Sequence, residues 1–415
     1  MHTHKFTVGS LFAGVGGICL GFKTAEYRGL GYNLIWANEI DEYAGETYRH
    51  NFDHNLIAGD IEKIVDLNII QSEQNRYINI MNEVATDEER IKYKVLIEKC
   101  EEEKQIYREK QKQILSSKID VLNGGFPCQA FSIAGEQKGF DDHRGNLFIS
   151  IIKLIRLLDS VHGKPRVLFL ENVKNLMSHD GGRTYKVIKS KLEKEGYIIK
   201  EKVLNTMDFS HLPQNRERIY IVGFLNKKDA EKFTMFDNIG EFYINKTVDE
   251  RVRDIKKVID YTLTKNTGDK YYYTKEKYPK YFITEEEYDK IPESYRKDVR
   301  INLDESITEE YQFYQLRRGM YVRKNMSNVC PTLTANMGTG GHNVPLIKVK
   351  DGIRKLTPKE TFKLQGFPVG NGYELPTKYI NRPYPESRLY KQAGNAVSVP
   401  IIRLIAEQIL RVLEE

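Results

Sequence analysis

The sequence predicts an α/β chain, a doubly wound sheet followed by a smaller, mostly β or irregular region, and three observations carry that expectation. First, an apolar run at residues 7–12 empties into Ala13-Gly14-Val15-Gly16-Gly17 and then into helix-compatible residues 18–25. Strand, glycine turn and helix in that order open a nucleotide-binding half. Second, later apolar runs end in acids: 32–37 before Asn38-Glu39, 56–58 before Gly59-Asp60-Ile61, and 167–170 before Glu171-Asn172-Val173. Third, the run 119–122 ends in Gly124-Gly125-Phe126-Pro127-Cys128-Gln129, which holds a thiol at the carboxyl end of a strand, the edge where open sheets bind ligands.

At 415 residues the chain fits two compact units better than one or three. The four cysteines, Cys19, Cys100, Cys128 and Cys330, show no paired spacing and no nearby histidine cluster. That argues against a disulfide framework and against a zinc site, and a reducing cytoplasm is expected. No bound metal is expected. No apolar run approaches the roughly 20 residues of a spanning helix, and the start lacks a signal-peptide core, so no membrane insertion is expected. The net charge of +6 is compatible with a polyanionic partner but decides nothing alone.

In chain order, the acid after the second strand, Glu39, follows the glycines by roughly 20 to 25 residues, the placement that accepts from two ribose hydroxyls. Asp60 at the next strand tip is placed to accept from an adenine amino group; for either acid the plainer reading is a helix N-cap. No P-loop lysine follows the glycine turn, so the ligand reads as an adenosine without a triphosphate. Residues 71–118 are rich in Glu, Lys, Gln and Arg with apolar residues at helical spacing, and Thr86-Asp87-Glu88-Glu89 has the form of a capping box. A protruding helical pair with a solvated face is expected there, with Cys100 a structural or surface thiol.

A lone cysteine is more often a small hydrophobe than a nucleophile. At Cys128 the flanking Pro127 fixes the backbone, and Gly124 and Gly125 let main chain approach a bound molecule. Residues 129–146 are polar, with glycines at 135, 139 and 145, a composition suited to a hinged lid. Residues 147–158 read as an amphipathic helix, 184–194 as a helix, and 198–205 and 219–224 as strands. In Gln214-Asn215-Arg216-Glu217-Arg218 an extended backbone points Gln214, Arg216 and Arg218 one way; an exposed, aggregation-resisting edge is the alternative.

From residue 226 the alternation fades, and 243–321 is crowded with Tyr, Lys, Arg and Glu. Tyrosines at 271–273, 278 and 281 among lysines suit phosphate and base contacts, or the packing of an ordinary β-rich domain. Thr357-Pro358-Lys359-Glu360 opens a helix, and Gln392-Ala393-Gly394-Asn395-Ala396-Val397-Ser398-Val399-Pro400 opens a last one at 401–413. The expected division is a catalytic unit at 1–225, carrying the 71–118 insert and completed by 391–415, a second domain at 226–350, and a hinge at 351–390.

The stretches Phe12 to Gly17, Gly125 to Gln129, Glu171-Asn172-Val173, Gln214 to Arg218 and Gln392 to Val397 resemble, in order and nearly end to end, the bacterial and phage DNA cytosine-5 methyltransferases. The resemblance implies a Rossmann-like, S-adenosylmethionine-dependent catalytic domain and a target-recognition domain. Cys128 would add to cytosine C6, Glu171 would bond ring N3, Arg218 would contact O2, and Arg216 would brace the Cys128 turn or lid. For the donor, which leaves as S-adenosylhomocysteine, Phe12 would stack on adenine, Gly14 would line the methionine portion, and Gly16 and Gly17 would bind beside it. Glu39 would hold the ribose, Ile40 would flank the base, and Asp60 with Ile61 would meet the amino-group side. Pro127, Leu147, Asn395 and Val397 match other pocket positions. The target base must leave the duplex first. Gln129 and Ser132 would then touch the displaced strand or phosphates, with Gln214 among the DNA contacts and Thr332 steering the flipped nucleotide.

The implied partner is double-stranded DNA, with a restriction endonuclease as companion in the same system and no direct contact; a monomer in the bacterial cytoplasm is expected. Ser10 departs from the family's aspartate at the end of the first strand, and the 71–118 insert is longer than the usual connection. Two alternatives stay open: a transfer-RNA cytosine methyltransferase on the same scaffold, and a catalytically silent DNA-binding protein.

Overall fold

The computed structural model describes residues 4–127, 147–295, 300–317, 319–339 and 344–414. The central sheet is built from β1 (Lys5–Leu11), β2 (Gly31–Glu39), β3 (Asn55–Ala58), β4 (Val121–Gly125), β5 (Val167–Val173), β6 (Ile198–Asn205) and β7 (Glu217–Phe224), with β4 and β5 at its middle mostly buried on both faces and the edge strands β3 and β6 more exposed. These 7 strands run in the order β3-β2-β1-β4-β5-β7-β6, parallel except for β7, which is antiparallel to both its neighbours. The doubly wound fold expected from the sequence is the one adopted. The order in which successive strands are added reverses between β1 and β4, so a crevice opens at their carboxyl ends.

Neighbouring residues serve opposite layers. Val121, Val167 and Phe169 pack under α1 (Gly17–Thr24) and the helix Val399–Leu413. Leu122, Leu168 and Leu170 pack under α3 (Ile61–Val65), α6 (Leu147–His162) and α7 (Arg183–Lys194), while α2 (Glu42–Arg49) follows β2. That period of two, with both faces covered, explains why these strands read as continuous apolar runs. The helix Val399–Leu413 is tied back to the first unit by Tyr32, whose hydroxyl donates to the Ala406 carbonyl at 2.9 Å.

The insert forms α4 (Asn68–Glu83) and α5 (Asp87–Ile114). Thr86 caps α5 by accepting from Glu89 N at 3.3 Å. The far end of α5 does not protrude; it lies against α3 and the turn before it, held by polar side chains that a sequence reading assigns to solvent. Cys100 is buried.

The second sheet has 5 strands in the order β10-β9-β11-β12-β8: β8 (Tyr272–Tyr273), β9 (Phe313–Arg317), β10 (Tyr321–Lys324), β11 (Val344–Val349) and β12 (Gly352–Lys355), all antiparallel. β12 carries this sheet beyond residue 350, into the stretch expected to be a hinge. Tyr271, Tyr272, Tyr273 and Tyr281 are buried, so these rings pack the second unit instead of facing a nucleic acid. The segment 392–395 also differs from expectation. It ends the helix Glu386–Asn395, because Ala396 turns extended, and Pro400 then sits in the first turn of a separate helix.

Where β12 meets the helix Pro358–Leu364, Arg354 and Glu360 form a buried bidentate pair, at 2.9 and 2.7 Å. Glu360 also accepts from Asp260 N at 2.8 Å and from Thr357 N at 2.7 Å. Glu360→Ala is expected to lower stability by about 3–5 kcal/mol, because it strands a buried guanidinium. Thermal unfolding checks this, and a melting temperature unchanged from wild type would rule it out.

Among the described residues, no helix is long and apolar enough to cross a membrane, and no cluster of His, Cys, Asp and Glu could hold a metal ion.

Candidate active site

The crevice outside β1 and β4 is a cavity of ≈ 740 Å³, lined from the ends of β1 to β5, from β7, and from residues 388–397. Its size falls in the usual range for small-molecule sites.

One half is built by the glycine turn. Phe12, Gly14 and Gly16 all take positive φ, at 53°, 55° and 84°, and the turn aims the Gly14 N–H at the carboxylate of the next strand. Glu39 accepts from Gly14 N at 2.7 Å through Oε2, and from Ile40 N and Asp41 N at 2.9 and 2.7 Å through Oε1. Burial still pushes its carboxyl above the ordinary value, against the pull of those N–H groups. At Gly14 a Cβ would meet open space, so the backbone itself faces the cavity. Gly17 lines it too, and a Cβ there would lie 2.8 Å from Val397. Gly16 does not line the cavity. It is the left-handed N-cap of α1, and a Cβ would run into the Phe52 ring. Its place in the expected donor turn is therefore a conformational one in this structure.

Asp60 takes the N-cap role that was the plainer reading: Oδ1 accepts from Glu62 N at 2.9 Å. It also lines the cavity, so cap and ligand group are compatible. Asn38 bridges the tips of β2 and β3 by donating to the Ile57 and Gly59 carbonyls, both at 2.9 Å. Ile40 is 65% exposed at the rim and Ile61 is buried; Phe12, Pro127, Leu147, Asn395 and Val397 complete the wall.

The other half is ionic. Glu171 on β5 and Arg218 on β7 meet at 3.1 Å, both mostly buried. Burial pushes the Glu171 carboxyl above its ordinary value, while Arg218 and then Arg216 pull it down. Asn172 donates to the Phe126 carbonyl at 2.9 Å and so fixes the turn that leads to the cysteine. Cys128, Gln129, Ser132 and the expected lid 129–146 lie outside the described residues.

Of Gln214, Arg216 and Arg218, the two arginines line the cavity and Gln214 does not. Gln214 is wholly buried, with Nε2 donating to the Leu364 carbonyl at 2.7 Å. This corrects the expected DNA contact: the Gln214 side chain is aimed into protein. Arg216 donates to the carbonyls of Leu333 at 3.2 Å, Gly394 at 3.3 Å and Ala396, so it ties β7 to the end of the helix Glu386–Asn395; the Cys128 turn and lid that it was expected to brace lie outside the described residues. Burial, helped by Arg218, lowers its pKa to about 9, which leaves it charged at neutral pH. Thr332 donates to the Asn215 carbonyl at 2.6 Å and does not line the cavity. Ser10 is buried on Asn123 Oδ1 at 2.6 Å, away from the cleft.

Sequence reasoning missed Asp41, Arg388 and Lys391 on the cavity wall. Lys391 pairs with Asp41 at 3.0 Å, and Arg388 sits 4.5 Å over the Tyr43 ring. The available signal was position: Asp41 follows Glu39 closely, and Lys391 immediately precedes Gln392.

A family model described as C-5 cytosine-specific DNA methylase matches residues 6–75 and 71–411. The chain is 41% identical over 405 residues to the Type II methyltransferase M.Bsp6I of Bacillus sp. (strain RFL6), covering 97% of this chain and 98% of that relative. It is 34% identical over 405 residues to the Type II methyltransferase M.HaeII of Haemophilus aegyptius, covering 97% and 92%. Among solved structures, the Entamoeba histolytica methyltransferase EhMeth is similar with a TM-score of 0.57 at 16% identity, over 99% of both chains. The S. pombe Dnmt2 methyltransferase gives 0.55 at 16%, over 99% and 100%. At such identity these two speak for the fold alone. The sequence matches run through both halves of the cleft and almost the whole chain, and on that ground the protein belongs to the C-5 cytosine-specific DNA methylase family.

Proposed function

We propose that the chain transfers a methyl group to C5 of a cytosine flipped out of duplex DNA, through a covalent bond between Cys128 and C6, as the modification enzyme of a restriction–modification system. The observation that carries the reading is the buried Glu171–Arg218 pair, at 3.1 Å, in the same cavity as an acid-lined glycine turn. When bound, S-adenosylmethionine supplies a sulfonium methyl group. The cleft fits such a donor: backbone open at Gly14, carboxylates of Glu39 and Asp60 for hydroxyl and amino groups, and apolar Phe12, Leu147 and Val397 between them.

The protein's own groups then divide the work. The Cys128 thiolate adds to C6. Glu171 gives a hydrogen bond or proton to N3, so electron density arriving at C6 is held as an enamine that is nucleophilic at C5. Arg218 bonds O2 and keeps Glu171 beside the ring. After methyl transfer, loss of the C5 proton and expulsion of the thiolate restore Cys128. Arg216 positions β7 against 394–396, and Pro127, Ile40, Asn395 and Val397 close the donor wall. The second sheet reads the target duplex, Thr332 and the 129–146 segment with Gln129 and Ser132 meet its backbone, and the monomeric enzyme works in the bacterial cytoplasm beside a restriction endonuclease it does not touch.

A methylation assay offering duplex DNA and transfer RNA, followed by mapping of 5-methylcytosine in DNA from expressing cells, tests the assignment. Transfer to RNA alone, or duplex binding without transfer at saturating donor, would replace it with one of the two alternatives. Glu39→Ala is expected to weaken S-adenosylhomocysteine binding by about tenfold to a hundredfold, the scale of hydrogen bonds to a charged group, with DNA affinity within about twofold. Calorimetric titration and gel shift measure the two, and the reverse ranking would remove the ribose role.

A further inference from the structure

The insert α4–α5 lies outside the chemistry, yet its second helix is fastened to the donor side of the cleft. The contacts fall along one stretch of α5. Glu103 pairs with Lys63 of α3 at 2.7 Å. Tyr107 accepts the backbone N–H of Asp60 at 3.2 Å. Gln111 donates to the Ile64 carbonyl at 2.6 Å, capping the end of α3. Gln113 accepts from Asn55 of β3 at 3.2 Å. Successive turns of one helix therefore grip β3, the Gly59-Asp60 turn and α3, the segment that carries one acid of the donor wall.

Tyr107 is the member of this set that touches the turn itself. Its hydroxyl would lie 3.3 Å from a Cβ placed on Gly59, and Lys110 Nζ at 2.9 Å. Lys110 also sits 4.5 Å over the Tyr107 ring and holds it in place. Gly59 takes φ 139°, so the turn is both strained for any other residue and closed from behind. Asp60 spends Oδ1 on the α3 cap, at 2.9 Å from Glu62 N. Its N–H goes to Tyr107 at 3.2 Å, and the residue so held lines the cavity.

We infer that Tyr107 is a positioning residue for adenine recognition: through the Asp60 N–H it holds the Asp60 carboxylate against the exocyclic amino group of the donor. The inference rests on the donor-site reading above. The insert is then a brace for one end of the pocket, and it acts on donor affinity without touching the transfer step.

The test compares wild type, Tyr107→Phe and Tyr77→Phe in the full-length protein. Tyr77, which donates to Glu73 at 3.0 Å on the exposed face of α4, is the control within the same insert. Calorimetry measures binding of S-adenosylhomocysteine and of S-inosylhomocysteine, in which a carbonyl replaces the amino group. Wild type is expected to prefer the adenosyl compound by about tenfold, the scale of a bond to a charged acceptor. Tyr107→Phe should weaken the adenosyl compound by about fivefold, the scale of one neutral hydrogen bond, and leave the inosyl compound nearly unchanged. Its donor KM should rise while kcat at saturating donor and the KM for DNA stay at wild-type values; Tyr77→Phe should match wild type throughout. An unchanged adenosyl preference in Tyr107→Phe overturns the inference, and so does an equal loss for both compounds with a lowered melting temperature, since that is general loosening. If wild type binds neither compound, the donor-site reading itself fails and takes the inference with it.

Discussion

Cys128→Ser is expected to bind the target duplex with near-normal affinity while turnover falls by at least about 10⁴-fold, the order seen when a catalytic nucleophile is removed. Serine keeps the size and polarity of the side chain, so the turn behind it, fixed by Asn172 on the Phe126 carbonyl at 2.9 Å, has no reason to move. What changes is acidity. A thiol yields a thiolate close to neutral pH, whereas a hydroxyl needs a strong neighbouring base, and addition to C6 needs the anion. Single-turnover transfer of a labelled methyl group and gel shift with the same duplex separate the two effects. A duplex carrying 5-fluorocytosine at the target adds a direct reading, because fluorine at C5 cannot leave as a proton does and the adduct persists. Wild type should form a lasting complex through residue 128 and the serine variant should not. Retention of more than about one per cent of wild-type turnover would contradict the covalent route.

Glu171→Gln is expected to lower kcat by about 10²–10⁴-fold, the range of a general acid in the transition state. Glutamine fills the same space between Gly125 and Arg218, so the loss reports acidity more than shape. The pH dependence carries the sign. Burial raises the folded pKa of Glu171, opposed by Arg218 and Arg216. A raised carboxyl keeps its proton to a higher pH than an ordinary one, so the N3 donor is present on the acid side and is lost as pH rises through the raised value. The same site favours folding fully below the ordinary carboxyl pKa, and that contribution fades as pH rises through the folded value. Thiolate formation at Cys128 runs the other way. Single-turnover rates in wild type should therefore pass through a maximum, and the glutamine variant should lack the descending limb on the alkaline side. A variant with wild-type kcat and the same alkaline limb would remove Glu171 from the chemistry.

The sheet was legible because its signal is local: a run such as 167–170 is apolar at every position, and only a strand covered on both faces needs that. Acids closing such runs were legible for the same reason, and Glu39, Asp60 and Glu171 all line the cavity. The errors arose where the answer depends on what lies across from a side chain. Alternation groups Gln214 with Arg216 and Arg218, but it cannot say that the Gln214 side chain meets the Leu364 carbonyl. The grip of α5 was hidden because Tyr107, Gln111 and Gln113 are polar, and polar residues on a charged helix read as solvated. Tyrosines 271–273 were ambiguous from composition, and burial resolves them.

The helix pair Glu386–Asn395 and Val399–Leu413 has a temporal consequence. With the link between them it supplies Lys391, Asn395 and Val397 to the cavity wall, receives Arg216, and packs on α1 next to the first strand. During synthesis on a ribosome, then, the glycine turn is made long before residues 388–397, which form the far side of its pocket. Until those residues have emerged, a nascent molecule has neither a closed cleft nor a seat for the Arg216 guanidinium.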